Sequence, residues 1–342
     1  MSNNFELSDY QKCFATNKTW PNLGDKLTAA FSLLTVTIIA SGLNIVLIAT
    51  ILKYFHELTE KVRINILLMN LCFSHCLYLS GTFLVQSPAA FSSVPIYYSN
   101  NLMISLTAIS SIGFYAIVFF EFSVAIDRFI VFYSEKKLSR NAYFGFILIL
   151  WFLSISAVCL QVWHGCPKRY NQWTLSYSFE CNFGCTGNIF GFLPISILLN
   201  LGTYFTYAVF GLYVLVFLKI IHLKSLHQTK FKAQKKELLV LMQFFAIFLC
   251  TWLSTTSMFV FPTWFGRSMF TNICPMILIA LNALLNAALL ITFNDTIRTK
   301  VIQFLHFKSI YRPKKITVSP HTLSAHQSFT SRNNNPNYIG IL

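Results

Sequence analysis

Charged side chains are scarce in this sequence. They make up 11% of the 342 residues, whereas 55% of the residues are hydrophobic and 16% are aromatic. A water-soluble domain usually carries about 25% charged residues, because polar groups must cover its surface. The shortage excludes an ordinary soluble protein and predicts a chain whose surface faces lipid over most of its area.

Acidic residues are the scarcer of the two charge types. The chain has 11 Asp and Glu against 26 Lys and Arg, which gives a net charge of +15. An excess of basic residues is also typical of nucleic-acid-binding proteins. Here, however, the basic residues are nearly absent from the long apolar runs and concentrate in a few short connectors. This distribution is typical of a membrane protein whose cytoplasmic face contacts anionic lipid, so we predict membrane lipid as a partner and no nucleic acid.

Several patterns that indicate other functions are missing from the sequence. There is no Cys/His spacing of a zinc site, and at depth in the membrane only His75 and Glu121 are available as acid–base groups, on different helices and without partners of the right type. We therefore predict no metal, no cofactor and no enzymatic activity. The paired halves with broken helices that characterise many transporters are also not seen. A multi-spanning transporter or channel stays as the alternative to a receptor.

Seven apolar stretches are long enough to cross about 30 Å of hydrocarbon as helices. They cover residues 27–52, 64–85, 102–126, 143–164, 192–218, 238–262 and 273–293. Helices are expected because lipid offers no hydrogen-bond partner to open backbone groups. The sequence thus predicts an all-α, seven-transmembrane helix bundle. The fifth apolar run extends over residues 189–221, so we expect its helix to tilt or to project beyond the bilayer.

Basic residues are distributed unequally over the two sides of this bundle. The side that holds the amino-terminal segment carries six of them, and the other side carries twenty. Because Lys and Arg are retained in the cytoplasm, the amino terminus is predicted outside the cell and the carboxyl terminus inside. The chain then divides into an extracellular segment (1–26) without a cleavable signal peptide, a bundle (27–307) and a disordered cytoplasmic tail (308–342). Asn17, in an Asn-Lys-Thr sequon, is a candidate glycosylation site.

Five of the nine cysteines lie on the predicted outer side, in an oxidising compartment. They are Cys13, Cys166, Cys181, Cys185 and Cys274. Our candidate disulfide joins Cys166 to Cys181, because these two bracket the fourth connector and a bridge there would stiffen a loop over the mouth of the bundle. Other pairings among the five stay open, since sequence alone does not determine connectivity.

Polar side chains interrupt the apolar runs at a few positions. An ionisable group inside the bilayer costs about 2.5 kcal/mol or more, which makes Glu121 and His75 candidates for a function. Together with Asn44, Asn282 and Asn286 they are predicted to form one polar network through the core of the bundle. The alternative is that these groups only join helices through hydrogen bonds, which contribute about 0.6 kcal/mol each.

The third span ends in Asp127-Arg128-Phe129, which resembles the Asp-Arg-Tyr motif of rhodopsin-like G-protein-coupled receptors. Further family-like motifs occur in order along the chain: Gly42-Leu43-Asn44, Asn70-Leu71, Trp151, Cys250-Thr251-Trp252, and Asn282 with Asn286. After the seventh span, apolar residues at helical spacing predict an amphipathic helix on the inner leaflet, similar to the eighth helix of the family. The resemblance covers residues 27–308.

The sequence departs from the family at several positions. His75 stands where a sodium-coordinating Asp is usual, and Ala287 and Leu290 replace the proline and tyrosine of the seventh-span motif. The connector immediately before the third span (residues 86–101) contains no cysteine, so the usual disulfide to the second outer loop cannot form. These departures, with the long fourth connector, make the chain similar to the nematode serpentine chemoreceptors, of class X or a related class.

The resemblance implies a chemosensory receptor in the plasma membrane or in sensory cilia. It implies a small-molecule ligand, a heterotrimeric G protein and arrestin as partners. The activation switch would consist of Asp127, Arg128 and, as the nearest acid on the sixth span, Glu237. The implied ligand site opens outward between the third, fifth, sixth and seventh spans, and its candidate residues are Ser110, Phe114, Trp252, Thr255, Thr256, Phe259 and Met276.

Ser110 occupies the position at which amine receptors carry an Asp, so a biogenic amine is not expected as ligand. A mostly apolar pocket with a few hydroxyls suits a small, largely neutral molecule. Aromatic residues at the end of the fourth span and in the connector after it are predicted to form a lid over this pocket. They are Trp163, Trp173, Tyr177 and Phe179.

Overall fold

The computed structural model describes residues 7–16, 20–61, 64–134, 139–179, 181, 185, 187–189, 191, 193–226, 245–246, 248–257, 261, 264–266 and 268–305. The helices are α1 (Asp9–Ala15), α2 (Leu23–Lys53), α3 (Phe55–Lys61), α4 (Ile64–Gly81), α5 (Ser87–Phe91), α6 (Asn100–Ser134), α7 (Arg140–Trp163), α8 (Ile195–Leu199), α9 (Leu201–Leu226), α10 (248–257), α11 (Met269–Phe293) and α12 (Asp295–Phe304). Two short antiparallel hairpins pair β1 (Arg169–Asn171) with β2 (Ser176–Ser178) and β3 (Asn188–Ile189) with β4 (Leu193–Pro194).

Within the described residues, six helical segments are long and apolar enough to cross a membrane. They are Leu23–Lys53, Ile64–Phe91, Asn100–Val131, Asn141–Trp163, Leu201–Lys219 and Phe270–Phe293. Helix α10 lies within the sixth of the seven predicted spans. The prediction of an all-α membrane-spanning helix bundle is confirmed, and the chain is a multi-pass membrane protein.

Helix α6 lies at the centre of the bundle, where it packs against α4, α7 and α9, while α2 packs against α4 and α11. The approach of α6 to α4 depends on Gly113, because a Cβ atom there would lie 2.4 Å from the backbone nitrogen of Tyr78. Small residues allow such close packing between helices in lipid. On the other side of α4, the Trp151 indole of α7 donates to the Asn70 side chain at 3.0 Å.

The second span changes its helical geometry toward the end of the bundle that holds the amino-terminal segment, which we call the outer end after the predicted topology. A π-helical segment, Thr82–Gln86, joins α4 to α5, and Pro88 lies just beyond it. Proline has no N–H group, so the carbonyl of Leu84 loses its normal intrahelical donor. The Tyr97 hydroxyl donates to this carbonyl instead. This hydrogen bond joins the loop before the third span to the π-helical segment.

The prediction that the fifth span begins near residue 192 is wrong. Residues of the apolar run before the helix form the β3–β4 hairpin and the short helix α8, and the long helix begins only at Leu201. Gly191, in the turn of this hairpin, has φ +79°, which favours glycine. Pro194 at the end of β4 cannot donate a backbone hydrogen bond and therefore interrupts a helix.

The predicted disulfide between Cys166 and Cys181 is also wrong. Cys166 is bonded to Cys185, and Cys181 is bonded to Cys13 of the amino-terminal segment. The reason is the position of α1, which lies over the outer end of the bundle. Its Gln11 side chain donates to the carbonyl of Ile96 at 3.2 Å, and its Cys13 Cα lies 6.1 Å from that of Cys181.

The predicted amphipathic helix after the seventh span is confirmed as α12. Asn294 caps its first turn by accepting from the backbone N–H of Ile297 at 3.1 Å. Ile297 and Val301 are buried against the bundle, and Lys300 forms an ion pair with Glu57 of α3. The helix therefore joins the inner ends of the first and seventh spans.

Candidate functional site

Three of the spans share one buried carboxylate. Glu121 of α6 accepts hydrogen bonds from the Thr251 hydroxyl of α10 at 2.9 Å and from the Asn282 amide of α11 at 3.3 Å. The same amide donates to the Thr251 hydroxyl oxygen at 2.7 Å. Because all three side chains are buried, this triangle joins the third, sixth and seventh spans without a bulk-water competitor. We call these three residues the carboxylate triangle.

The other residues of the predicted polar network are buried near it but are not joined to it by hydrogen bonds. Asn44 donates to the carbonyls of Ala40 at 2.8 Å and Ala283 at 3.0 Å, which links α2 to α11. His75 and Asn286 are fully buried, and neither side chain has a hydrogen-bond partner among the described residues. The structure thus brings together two of the five predicted residues and adds Thr251.

At the inner end of α6, Asp127 is buried and accepts a hydrogen bond from the Tyr143 hydroxyl of α7. Arg128, its neighbour, is partly exposed. Tyr143 was not among the predicted switch residues, although its place at the start of the fourth span, facing the Asp-Arg pair, was a usable signal. Glu237, the predicted acid on the sixth span, lies outside the described residues.

A cavity of about 290 Å³ lies in the outer half of the bundle, under the β1–β2 hairpin. Aromatic side chains form much of its wall, including those of Tyr78, Phe114 and Tyr115. Polar lining residues come from every side, among them Ser111, Gln161, Lys168, Ser178, Thr203 and Thr255. An apolar cavity with a few converging polar groups is the form expected of a small-molecule site.

Three of the seven predicted ligand residues line this cavity: Phe114, Thr255 and Met276. Ser110 does not line the cavity, and its hydroxyl donates to the carbonyl of Tyr78 at 3.2 Å. Trp252 does not line the cavity, because it lies on the face of α10 that points away from the bundle, where it is 37% exposed. The helical period explains this, because the polar face of α10 with Thr251 and Thr255 turns inward. Thr256 is not part of the lining, and Phe259 lies outside the described residues.

The predicted aromatic lid is correct in part. Tyr177 and Phe179 line the cavity, whereas Trp163 is 86% exposed. Trp173 packs edge-on against Trp20 of the amino-terminal segment, with 5.2 Å between ring centroids. The cover over the cavity therefore includes the segment before the first span. Asn17, the predicted glycosylation site, lies outside the described residues.

Lys168 is the charged residue among the lining residues that the sequence did not single out for the ligand site. It was counted only as a basic residue of an outer connector. Its ammonium lies 4.0 Å from the ring centroid of Tyr177 and 5.9 Å from that of Tyr78. Burial among these rings lowers the pKa of Lys168 to about 8. A cation placed in a cavity is a strong determinant of which ligand can bind there.

The fold is that of rhodopsin-like seven-helix receptors. The chain is similar to squid rhodopsin with a TM-score of 0.66 at 15% sequence identity, and the likeness covers 85% of this chain and 88% of that one. At this identity the comparison establishes the fold alone. The family described as "Protein of unknown function (DUF621)" matches residues 26–307, and the chain belongs to this family. A search of curated proteins found no match.

Proposed function

We propose that this chain is a G-protein-coupled chemoreceptor of the nematode serpentine type. It binds a small, mostly apolar ligand in the outer cavity and activates a heterotrimeric G protein at the opposite end of the bundle. It resides in the plasma membrane, including that of sensory cilia, with its amino terminus outside. The excess of basic residues on the cytoplasmic side supports this orientation. Two disulfides at the other end agree with an oxidising compartment there.

The relation between the cavity and the carboxylate triangle carries the proposal. On each of three helices, a residue that lines the cavity lies one or two helical turns from a member of the triangle. The pairs are Thr255 and Thr251, Ile279 and Asn282, and Phe114 and Glu121. A ligand that displaces one of these helices changes the hydrogen bonds of Glu121. Such differential contact is what a ligand needs to shift an equilibrium between two conformations.

The residues that pass the conformational change on to the G protein lie at the inner end of α6. In the inactive state, Asp127 holds this end through Tyr143 and through its neighbour Arg128. In the active state, Arg128 is released toward the G protein, which also contacts the lysine-rich connector after α9. Arrestin binds the Ser/Thr-containing tail of residues 308–342. Losing a partly buried partner biases such an equilibrium toward the released state.

The direct test is a screen of odorant and metabolite libraries in cells that carry a G-protein dissociation sensor. We expect at least one compound to dissociate the G protein in cells that express the wild type and not in cells that express Arg128→Ala at equal surface level. Uptake of a solute into liposomes that contain the purified chain and no G protein, with no sensor response to any compound, would support a transporter instead.

A further inference from the structure

The cavity presents one cation to its ligand. Of the described residues that line it, Lys168 alone carries a charge. The residue as a whole is partly exposed, but protein surrounds its ammonium closely enough for desolvation to dominate its ionisation. With a pKa of about 8, the side chain is still mostly protonated at neutral pH. The cavity therefore holds a positive charge.

The backbone around Lys168 is fixed on both sides. Its carbonyl accepts from the Thr107 hydroxyl of α6 at 2.7 Å. Two residues earlier, Cys166 is bonded to Cys185, and on the other side the Arg169 guanidinium donates to the Asn100 side chain at 2.7 Å. The lysine is thus held in place by the fold and is not a loosely attached surface residue.

The described surroundings do not neutralise this charge. The rings of Tyr177 and Tyr78 attract the ammonium, but a cation–π contact offsets only part of the cost of removing a charge from water. No carboxylate occurs among the described lining residues. Glu121, a buried acid on the same helix as Phe114, is engaged in the carboxylate triangle and does not line the cavity.

Three other polar side chains of the wall already donate a hydrogen bond within the protein, whereas the Tyr177 hydroxyl has no partner among the described residues. Gln161 donates to the Tyr115 hydroxyl, Ser111 donates to the carbonyl of Thr107 at 2.9 Å, and Thr255 donates to the carbonyl of Thr251 at 2.9 Å. The polar end of a ligand therefore finds its strongest partner at Lys168. Phe114, Phe179, Met276 and Ile279 supply the apolar surface for the rest of the ligand.

We propose that the ligand is a small amphiphile with one anionic group, a carboxylate or its equivalent, on an apolar or aromatic body, and that Lys168 binds this group. The inference rests on the proposed receptor function, because it names the ligand class of the same cavity. It also replaces the prediction of a largely neutral ligand. A carboxylate supplies to the ammonium an ion pair and charge-assisted hydrogen bonds that the described residues do not provide.

Thermal unfolding of the purified full chain in detergent tests this without any G protein. The probes are decanoate and 3-phenylpropionate at pH 7, each compared with its matching alcohol, decan-1-ol or 3-phenylpropan-1-ol. For the wild type we expect the carboxylate to bind roughly tenfold to a hundredfold more tightly than the alcohol, the range of a charge-assisted hydrogen bond. In Lys168→Met this preference should disappear while alcohol binding persists.

Lys12→Met is the matched control, because it removes a lysine at the outer end that is paired with Asp9 at 3.6 Å and does not line the cavity. It should keep the carboxylate preference. Removing a desolvated charge that only cation–π contacts offset should also raise the unfolding temperature of ligand-free Lys168→Met above that of the wild type. Equal binding of acid and alcohol by the wild type, or an undiminished preference in Lys168→Met, overturns the proposal.

The pH dependence gives a second readout of the same site. Decanoate affinity should fall as the pH rises from 7 to 9.5, because Lys168 loses its proton in this range, and the alcohol profile should stay flat. The other titratable groups around the ammonium are the phenols of Tyr78, Tyr115 and Tyr177 and the guanidinium of Arg169. Burial raises the pKa of Tyr177. If the fall persists in Lys168→Met, another group is responsible and the assignment to Lys168 is wrong.

The proposed ligand class and the proposed receptor function can be refuted independently of each other. Carboxylate selectivity without G-protein activation would leave the ligand class intact and refute the receptor. G-protein activation by neutral compounds alone, with no carboxylate selectivity, would leave the receptor intact and refute the role of Lys168.

Discussion

Thr251 is the member of the carboxylate triangle that both donates and accepts within it, because its hydroxyl donates to Glu121 and accepts from Asn282. A residue with two such roles fixes the relative positions of the third, sixth and seventh spans. The Cys250-Thr251-Trp252 motif led to the prediction that Trp252 lines the ligand site. The structure shows instead that the threonine beside it faces inward.

Replacing Thr251 with Val should raise basal signalling. The change keeps the branched shape of the side chain but removes both hydrogen bonds, at a cost of about 1–3 kcal/mol to the arrangement that the triangle stabilises. The equilibrium between conformations should move toward the active one by roughly tenfold, measured as agonist-free output of the G-protein sensor. Thr292→Val, on the exposed inner end of α11, is the matched control and should behave as the wild type. Reduced or unaltered output of Thr251→Val would show that the triangle only joins helices.

Basal signalling should also rise in Asp127→Asn and in Tyr143→Phe. Both changes weaken the hydrogen bond that holds the inner end of α6 against α7. The same sensor measures the effect, with Tyr204→Phe, a tyrosine that is 52% exposed on α9, as control. Basal output at or below that of the control would contradict the role of Asp127 as a restraint on Arg128.

Single residues of the site were predictable only where the surrounding pattern fixed their orientation. Glu121 and Asn282 could be found because a polar group inside an apolar run is costly and needs a partner. Trp252 was misassigned although its neighbours gave a signal: Thr251, Ser254 and Thr255 form a polar stripe that the tryptophan does not share. Lys168 could not be found, since its position depends on how a loop folds back over the bundle.

At the scale of elements, the contact between α4 and α6 depends most on the absence of a side chain at Gly113. Gly113→Ala places a methyl group 2.4 Å from a backbone nitrogen, so the two helices must move apart. We expect the free energy of unfolding to fall by about 1–3 kcal/mol, as for other overpacked cores. Thermal unfolding in detergent measures this.

The control for this prediction is Gly145→Ala in α7, where an added Cβ meets nothing within 4 Å. Alanine favours a helix over glycine by up to about 1 kcal/mol, so this variant should be as stable as the wild type or more so. If both variants unfold at the same temperature, close packing at Gly113 does not matter for stability.

Element boundaries were predictable from hydropathy except where the chain leaves the bilayer. The seventh helix was expected over 273–293 and extends over Met269–Phe293. The start of the fifth span was misplaced because hydropathy does not distinguish an apolar hairpin from the first turns of a helix. Gly191 and Pro194 were the available signals.

At the scale of the whole molecule, the amino-terminal segment and the fourth connector close the outer end of the bundle together. The fold was predictable because lipid limits the chain to helices of a fixed length. The disulfide pairing was not, because Cys13 and Cys181 are brought together by the placement of α1. That placement depends on contacts such as the one between Gln11 and Ile96, which leave no pattern in the sequence.

Peptide mapping of the unreduced protein, purified from cell membranes, should recover the peptide of Cys13 joined to that of Cys181 and the peptide of Cys166 joined to that of Cys185. Cys274 should be recovered as a free thiol. A peptide that joins Cys166 to Cys181 would refute the position of α1. Fully reduced cysteines in all four positions would place this end of the bundle in the cytoplasm.

The most direct test of the receptor account is an exchange assay. The chain in lipid nanodiscs is mixed with a purified heterotrimeric G protein, and the rate of guanine-nucleotide exchange is measured. The assay needs no ligand, because Thr251→Val is expected to populate the active conformation by itself. The account predicts faster exchange with Thr251→Val than with the wild type, and no acceleration when Arg128→Ala is added to it. The account would be contradicted if the wild type, Thr251→Val and the double variant all left the exchange rate unchanged with every Gα class.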